Sequence, residues 1–221
     1  MGIIKVGGDI RDTVSSLYLI KEPIKEYSSI KIGESGWTPL EQAVEEAAKK
    51  HDFLLVEGAM SAFTGLLNDN YKRPMSTAEV AAALGASTII VVGCDKEGIE
   101  GALINTLNYV NILKRLGVNT TGVILNKLRV SYITDEIKQT MKNAFQNAGI
   151  ELLGMVPRLD LEGRGMIPEI EIRYEDFGAQ AIDAAEKYID LDLLARVASP
   201  PLKVEIDYKG FMEKFKNLLT N

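Results

Sequence analysis

Short, almost wholly apolar runs alternate along the chain with longer amphipathic stretches. Ile3–Val6, Phe53–Val56, Thr88–Val92, Thr121–Leu125 and Leu152–Val156 are rich in β-branched residues and nearly free of charge. A strand exposed on one face alternates apolar with polar residues. Such nearly continuous runs of four or five residues instead predict strands buried on both faces, as in a parallel sheet covered by helices. Between them, apolar residues recur at helical spacing over Pro39–Lys50, Ser76–Leu84, Gly98–Leu116, Thr134–Asn147 and Asp176–Tyr188. Thr38, Pro39 and Glu41 predict a capped helix start, and Gly117 and Gly149 predict helix stops. This order predicts an α/β fold: a doubly wound, mainly parallel sheet with helices on both faces, joined by right-handed crossovers, over residues 1–198. A break at Ser199-Pro200-Pro201 opens a C-terminal extension, 199–221, with a strand-like Leu202–Ile206 and an amphipathic helix near Lys209–Leu219.

Composition narrows the function classes. The chain has 221 residues, 46% hydrophobic and 25% charged, which suits one α/β domain with an ample core. The formal net charge of −6 comes with no basic stripe, which argues against a nucleic-acid partner. The apolar runs are too short to span a bilayer, so no membrane is expected. The chain enters a strand almost at once, so no leader peptide is expected. Its one cysteine, Cys94, cannot form an internal disulfide, which makes a reducing, cytoplasmic setting the default.

In open parallel sheets, ligands bind beyond the carboxyl ends of the strands. Those positions hold Gly7-Gly8-Asp9-Ile10-Arg11-Asp12, Glu57-Gly58-Ala59-Met60, Gly93-Cys94-Asp95, Asn126-Lys127 and Pro157-Arg158. Asp9, Asp12 and Glu57 are hard oxygen donors of the kind Mg²⁺ takes, one or two at a time, together with substrate phosphates. A phosphate-cradling G-x-x-x-x-G-K-[ST] loop is missing, since no Gly-Lys pair occurs among these residues. The dinucleotide fingerprint G-x-G-x-x-G is missing after the first strand as well.

Five ordered segments, spread over roughly residues 3 to 198, carry a resemblance. Lys5-Val6-Gly7-Gly8-Asp9-Ile10-Arg11-Asp12 resembles the K-x-G-P-D-x-x-D segment of cobyrinic acid a,c-diamide synthases. Glu57 to Gly65 resembles their E-G-V-M-G-L-F-D-G, with Thr64 where they carry Asp. Ser76-Thr77-Ala78-Glu79 is similar to their S-T-A helix start, Gly122 to Lys127 to G-V-I-L-N-[RK], and Leu153 to Arg158 to L-G-x-[IL]-P-R. The wider P-loop superfamily includes dethiobiotin synthetase.

The resemblance implies an enzyme that binds ATP and Mg²⁺, phosphorylates a small-molecule carboxylate, and lets ammonia displace phosphate to leave an amide, as in cobalamin biosynthesis. It implies that Asp9, Asp12 and Glu57 hold Mg²⁺ or orient substrate and that Lys5 supports a phosphate or the substrate carboxylate. By the same likeness Asn126, with Lys127, reads the adenine edge, Pro157 lines the base, and Ser76 and Thr77 open a helix facing an anionic substrate group. In that family a first strand with the phosphate loop precedes the K-x-G segment and lies at the centre of the sheet, and a glutaminase domain follows. Cys94 does not match the glutaminase nucleophile. The chain by itself is therefore expected to be incomplete or inactive, with an open sheet edge closed by a homodimer or by a partner subunit. A non-catalytic small-molecule- or partner-binding module descended from such a synthetase is the alternative.

Other conspicuous residues have plainer readings. His51, the only histidine, suits a helix-end structural role, and Trp37 suits packing against the helix that follows it. Lys21–Lys31 reads as an exposed connection. Arg158, Arg164 and Arg173 could clamp carboxylates or phosphates, but most loop arginines do neither.

Overall fold

The computed structural model describes residues 1–59, 61–68, 71–159, 174–198 and 206–220. Met60, Arg164, Arg173, the break at 199–201 and residues 202–205 of the expected last strand lie outside the described residues. The strands are β1 (Gly2–Val6), β2 (Ser29–Ile30), β3 (Leu54–Glu57), β4 (Thr88–Gly93), β5 (Thr120–Leu128) and β6 (Glu151–Pro157). The helices are α1 (Arg11–Leu19), α2 (Leu40–Ala48), α3 (Thr77–Leu84), α4 (Gly98–Arg115), α5 (Asp135–Asn147), α6 (Tyr174–Tyr188), α7 (Leu191–Val197) and α8 (Tyr208–Thr220). Every ladder between these strands is parallel, with helices on both sides, so the α/β class predicted from the apolar runs is the observed one.

The strands fall into two sheets, ordered β2-β1-β3 and β4-β5-β6. The chain likewise divides into two compact units, the first holding β1–β3, α1–α3 and α8, the second β4–β6, α4, α5 and α7. The sequence reading placed one domain over 1–198 with an extension after it; by its contacts, α8 of the extension groups with the first unit.

In the first unit, Ile3, Ile4 and Val6 of β1 are buried, with α1 against this strand. Helix α8 lies on α3 and buries Tyr208, Phe211 and Met212, so the tail is docked. In the second unit, Val123, Leu125 and Leu128 of β5 pack with Val110 of α4 and with Met141 and Phe145 of α5. Both α4 and α5 stop at the expected glycines: Gly117 and Gly149 take φ of +90° and +70°, where an L side chain would be strained.

Three local expectations change. Thr38 does not cap α2; its hydroxyl donates to the Glu26 carbonyl, and no side chain caps that helix start. Residues 21–31 are not simply an exposed connection, because Tyr27, Ser28, Ser29 and Ile30 are buried and Ser29-Ile30 forms β2 beside β1. Trp37 is half exposed and is not packed away. His51 sits past the end of α2, edge-on to the Tyr27 ring.

Candidate functional site

Register brings the first unit's polar residues together. Lys5 on β1 is the direct neighbour of Glu57 on β3, and both stand at the carboxyl ends of their strands. Asp12 reaches the same point from the first turn of α1. The Lys5 side chain is only 4% exposed, and its ammonium lies 2.8 Å from Asp12 Oδ2 and 3.3 Å from Glu57 Oε1. It also donates to the Gly58 carbonyl at 2.9 Å. Burial alone pushes this ammonium towards its neutral form; the hydrogen bond to Asp12 and the charge of Glu57 more than offset that, leaving its pKa above the ordinary lysine value. An ammonium has three donors, and three acceptors take them here. All three Lys5 donors are thus directed at Asp12, Glu57 and the Gly58 carbonyl.

Asp9 does not join this cluster. Its carboxylate turns to Arg11, whose Nε is 3.1 Å from Oδ1, and that hydrogen bond holds Asp9 below the usual carboxylate range. Among the described residues no group of three His, Cys, Asp or Glu side chains converges as a metal site. The expected three-carboxylate arrangement is thus corrected to two carboxylates sharing a lysine, because the buried ammonium is the nearer cation. Two carboxylates still fit Mg²⁺: Asp12 is half exposed and Glu57 about a third exposed, so each has lone pairs open to solvent.

Ser76 and Thr77 are held by the protein itself. Ser76 is fully buried; its hydroxyl accepts from the Glu79 N–H and donates to Glu79 Oε2, which also accepts from the Met75 N–H. This is a capping box at the start of α3. Thr77 Oγ1 accepts from the Ala59 N–H, tying α3 to the loop after β3 beside Glu57. The S-x-x-E spacing was the available sequence signal for the capping role.

Glu79 is 1% exposed, and among the described residues its Oε1 has no hydrogen-bond partner. Burial raises its pKa, partly offset by the Ser76 and Met75 donors. Nearby, burial and then the charges of Glu41 and Glu79 push Tyr208 of α8 up to about 12. A carboxyl whose folded pKa is raised holds more protons folded than unfolded. Its contribution is fully present below the unfolded value, about 4.3, and is lost as pH rises through the folded value. Glu79→Gln is therefore expected to flatten the pH dependence of stability. Urea unfolding at several pH values should show the variant gaining on the parent as pH rises; parallel curves would refute it.

The second unit's carboxyl ends hold Cys94, Asp95, Asn126, Lys127 and Pro157. Asn126 Oδ1 accepts from the Lys127 N–H at 2.8 Å, and the Asn126 carbonyl accepts from the Cys94 N–H. Lys127 adopts φ +59°, a left-handed conformation uncommon for a residue with a Cβ and a mark of a constrained turn. Its ammonium is 3.9 Å from Asp95 Oδ2, a partner the sequence reading missed. Pro157 is buried at the end of β6, beside Leu128. Cys94 is buried and its thiol pKa is raised by that burial, which makes it a poor nucleophile. Among the described residues no helix is long and apolar enough to cross a membrane.

Comparison with known proteins agrees with the motif reading. A family model described as "AAA domain" matches residues 10–164. The chain is 30% identical to a cobyric acid synthase of Thermodesulfovibrio yellowstonii over 158 residues, 71% of this chain and 30% of that protein. It is 28% identical to a cobyrinate a,c-diamide synthase of Saccharolobus solfataricus over 181 residues, 78% and 38% of the two chains. It is 29% identical to a hydrogenobyrinate a,c-diamide synthase of Mycobacterium bovis over 212 residues, 89% and 44%. The chain thus spans less than half the length of these relatives. A solved structure, the MinD cell division protein of Aquifex aeolicus, aligns with 99% of this chain and 84% of its own at a TM-score of 0.38 and 12% identity.

Proposed function

Because the chain belongs to the AAA domain family, we propose that it is the ATP- and Mg²⁺-dependent part of an amide-forming synthetase that activates a substrate carboxylate. The observation that carries this reading is the buried Lys5 ammonium fixing Asp12 and Glu57 at two adjacent strand ends. A structural ion pair has no need to present two carboxylates to solvent at the ligand-binding end of a parallel sheet.

The chemistry follows from the reactants. A carboxylate is a poor acyl donor until one oxygen leaves as phosphate. Its oxygen attacks the γ-phosphorus of ATP, giving an acyl phosphate and ADP; ammonia then attacks the acyl carbon, phosphate departs, and the amide remains. Magnesium, when bound, offsets the charge of the phosphates. Asp12 and Glu57 would hold it, with Lys5 keeping them in place. Asn126, through its side-chain NH₂, would donate to an acceptor on the base edge, and Lys127 would sit beside it.

No G-x-x-x-x-G-K-[ST] occurs among these residues, so the phosphates lack the backbone cradle that gives tight binding. The 221-residue chain is expected to bind Mg·ATP weakly and to turn it over little. Amide NMR spectra at millimolar Mg·ATP should shift signals at 93–95 and 126–128, and Asn126→Ala should weaken the response roughly tenfold, the loss of one good hydrogen bond. Absence of shifts at those positions would overturn the base assignment. Micromolar affinity with turnover would overturn the need for a further phosphate-binding element.

A further inference from the structure

The chain that leaves β3 is held at a single peptide. The Gly58 carbonyl accepts from the buried Lys5 ammonium at 2.9 Å, and the Ala59 N–H donates to Thr77 Oγ1 at 3.0 Å. Both groups belong to the peptide unit between Gly58 and Ala59. That unit is trans, so its carbonyl and its N–H point in opposite directions. Lys5 and Thr77 therefore pin it from its two edges, one from β1 and the other from the first residue of α3.

Glycine at position 58 is what makes the pins necessary. A Cβ there would lie 2.7 Å from Thr77 Cγ2, closer than side chains come. The φ of Gly58 is outside the left-handed range, so this approach of α3, and not backbone strain, calls for glycine. A glycine also leaves the peptide after it freer to turn than any other residue would. Turning would break both hydrogen bonds at once and take from Lys5 one of its three acceptors. A buried donor left without an acceptor costs more than an ordinary hydrogen bond contributes. The ammonium would have to move, and with it the contacts to Asp12 at 2.8 Å and Glu57 at 3.3 Å.

Thr77 is suited to the task because it uses both branches of its side chain. Cγ2 lies against Gly58, and Oγ1 holds Ala59. Valine would keep the shape and lose the hydroxyl; serine would keep the hydroxyl and lose the methyl. The start of α3 is itself anchored: the Ala78 N–H donates to the Ala62 carbonyl, and Glu79 bonds Ser76 through both its N–H and its carboxylate.

We propose that Thr77 is a positioning residue for the strand-end site: its hydroxyl holds the Gly58–Ala59 peptide so that the Gly58 carbonyl keeps Lys5 between Asp12 and Glu57. The bearing of this on catalysis rests on the reading of those two carboxylates as the holders of Mg²⁺.

The test uses the whole 221-residue chain and NMR of the lysine ammonium groups, whose protons exchange slowly with water when each has an acceptor. Thr77→Val should speed exchange of the Lys5 ammonium roughly fivefold, the loss of one hydrogen bond, and shift the Ala59 amide signal. Thr77→Ser should keep both near the parent. Thr140→Val, which removes a hydroxyl donated to the Glu136 carbonyl on α5, should change neither. Gly58→Ala should also speed the exchange, and adding Thr77→Ser, which takes away the obstructing methyl, should slow it again. If Thr77→Val does not fold, that pair of variants decides. Unchanged Lys5 exchange in a folded Thr77→Val, or no recovery with serine, would overturn the proposal, since a merely structural threonine would lower stability without touching the ammonium. Mg²⁺ alone, titrated against the amide signals of Asp12 and Glu57, tests the link to the site. Half-saturation at roughly fivefold higher concentration in Thr77→Val supports it, and an unchanged value overturns it. A parent chain that gives no Mg²⁺ response overturns the magnesium reading instead, and the exchange measurement then decides the role of Thr77 by itself.

Discussion

Lys5→Met is expected to lower the unfolding free energy by about 2–3 kcal/mol and to abolish the proposed ATP-dependent activity. Methionine fills most of the volume of the lysine stem, so packing is largely kept and the loss is electrostatic. Three groups lose their partner: Asp12, Glu57 and the Gly58 carbonyl. Breaking a fully buried ion pair costs about 3–5 kcal/mol because the remaining charge is stranded. Here both carboxylates reach solvent and can be rehydrated, which sets the lower figure. A double-mutant cycle with Glu57→Gln separates the pair from the rest. If the two side chains are coupled as the geometry indicates, the combined loss falls short of the sum by about 1 kcal/mol. Simple additivity would mean that Lys5 acts through Asp12 and the Gly58 carbonyl rather than through Glu57.

The same residue sets an alkaline limit. The folded pKa of Lys5 lies above its ordinary value, so the lysine binds its proton more tightly folded than unfolded. Its contribution is complete below the unfolded pKa, about 10.4, and is lost as pH rises through the folded value. The parent should therefore lose stability towards alkaline pH more steeply than Lys5→Met, with the two curves converging there.

Much of the fold was legible because it rests on patterns that chain neighbours alone decide. Uninterrupted apolar runs named β1, β3, β4, β5 and β6, and glycines placed the ends of α4 and α5. Helix α1 was missed because only Thr13 and Leu17 are buried along it, and no side chain caps its start. Strand β2 was missed because two residues make no pattern; Ser29 and Ile30 become a strand only because β1 lies beside them. At the site, the strand-end rule found Asp12 and Glu57 and the resemblance added Lys5, but neither could say what lay closest to what. Asp9 and Asp12 looked alike as loop acids. Arg11 claims the first and Lys5 the second, and only three-dimensional placement makes that choice. Ser76 was read as opening a helix towards an anionic group; in the fold its hydroxyl also bonds Glu79, three residues along, which its spacing in the sequence allowed but did not require.

Gly65→Ala is expected to cost about 3 kcal/mol or more, for a reason visible only in the folded chain. Gly65 belongs to the segment after β3 that resembles the synthetase motif, and its φ is +102°. A Cβ there would lie 1.9 Å from the Met75 carbonyl oxygen and 2.8 Å from its carbon, so backbone would have to move. Neither side gives easily. The Gly65 carbonyl accepts from the N–H and the side-chain NH₂ of Asn68, and the Met75 N–H is held by Glu79. Displacing Met75 also displaces Ser76 and Thr77, and with Thr77 the hydrogen bond from Ala59 that fixes the loop beside Glu57. Gly98→Ala supplies the control: φ is +69°, but the new Cβ would meet only Glu100 Oε2 at 3.6 Å. That variant carries left-handed strain without a clash and should lose about 1 kcal/mol. Equal losses in the two variants would show that strain, not the Met75 carbonyl, sets the requirement at Gly65. A larger loss in Gly65→Ala, with a shifted Ala59 amide signal, would show that this glycine holds the loop behind Glu57 in place.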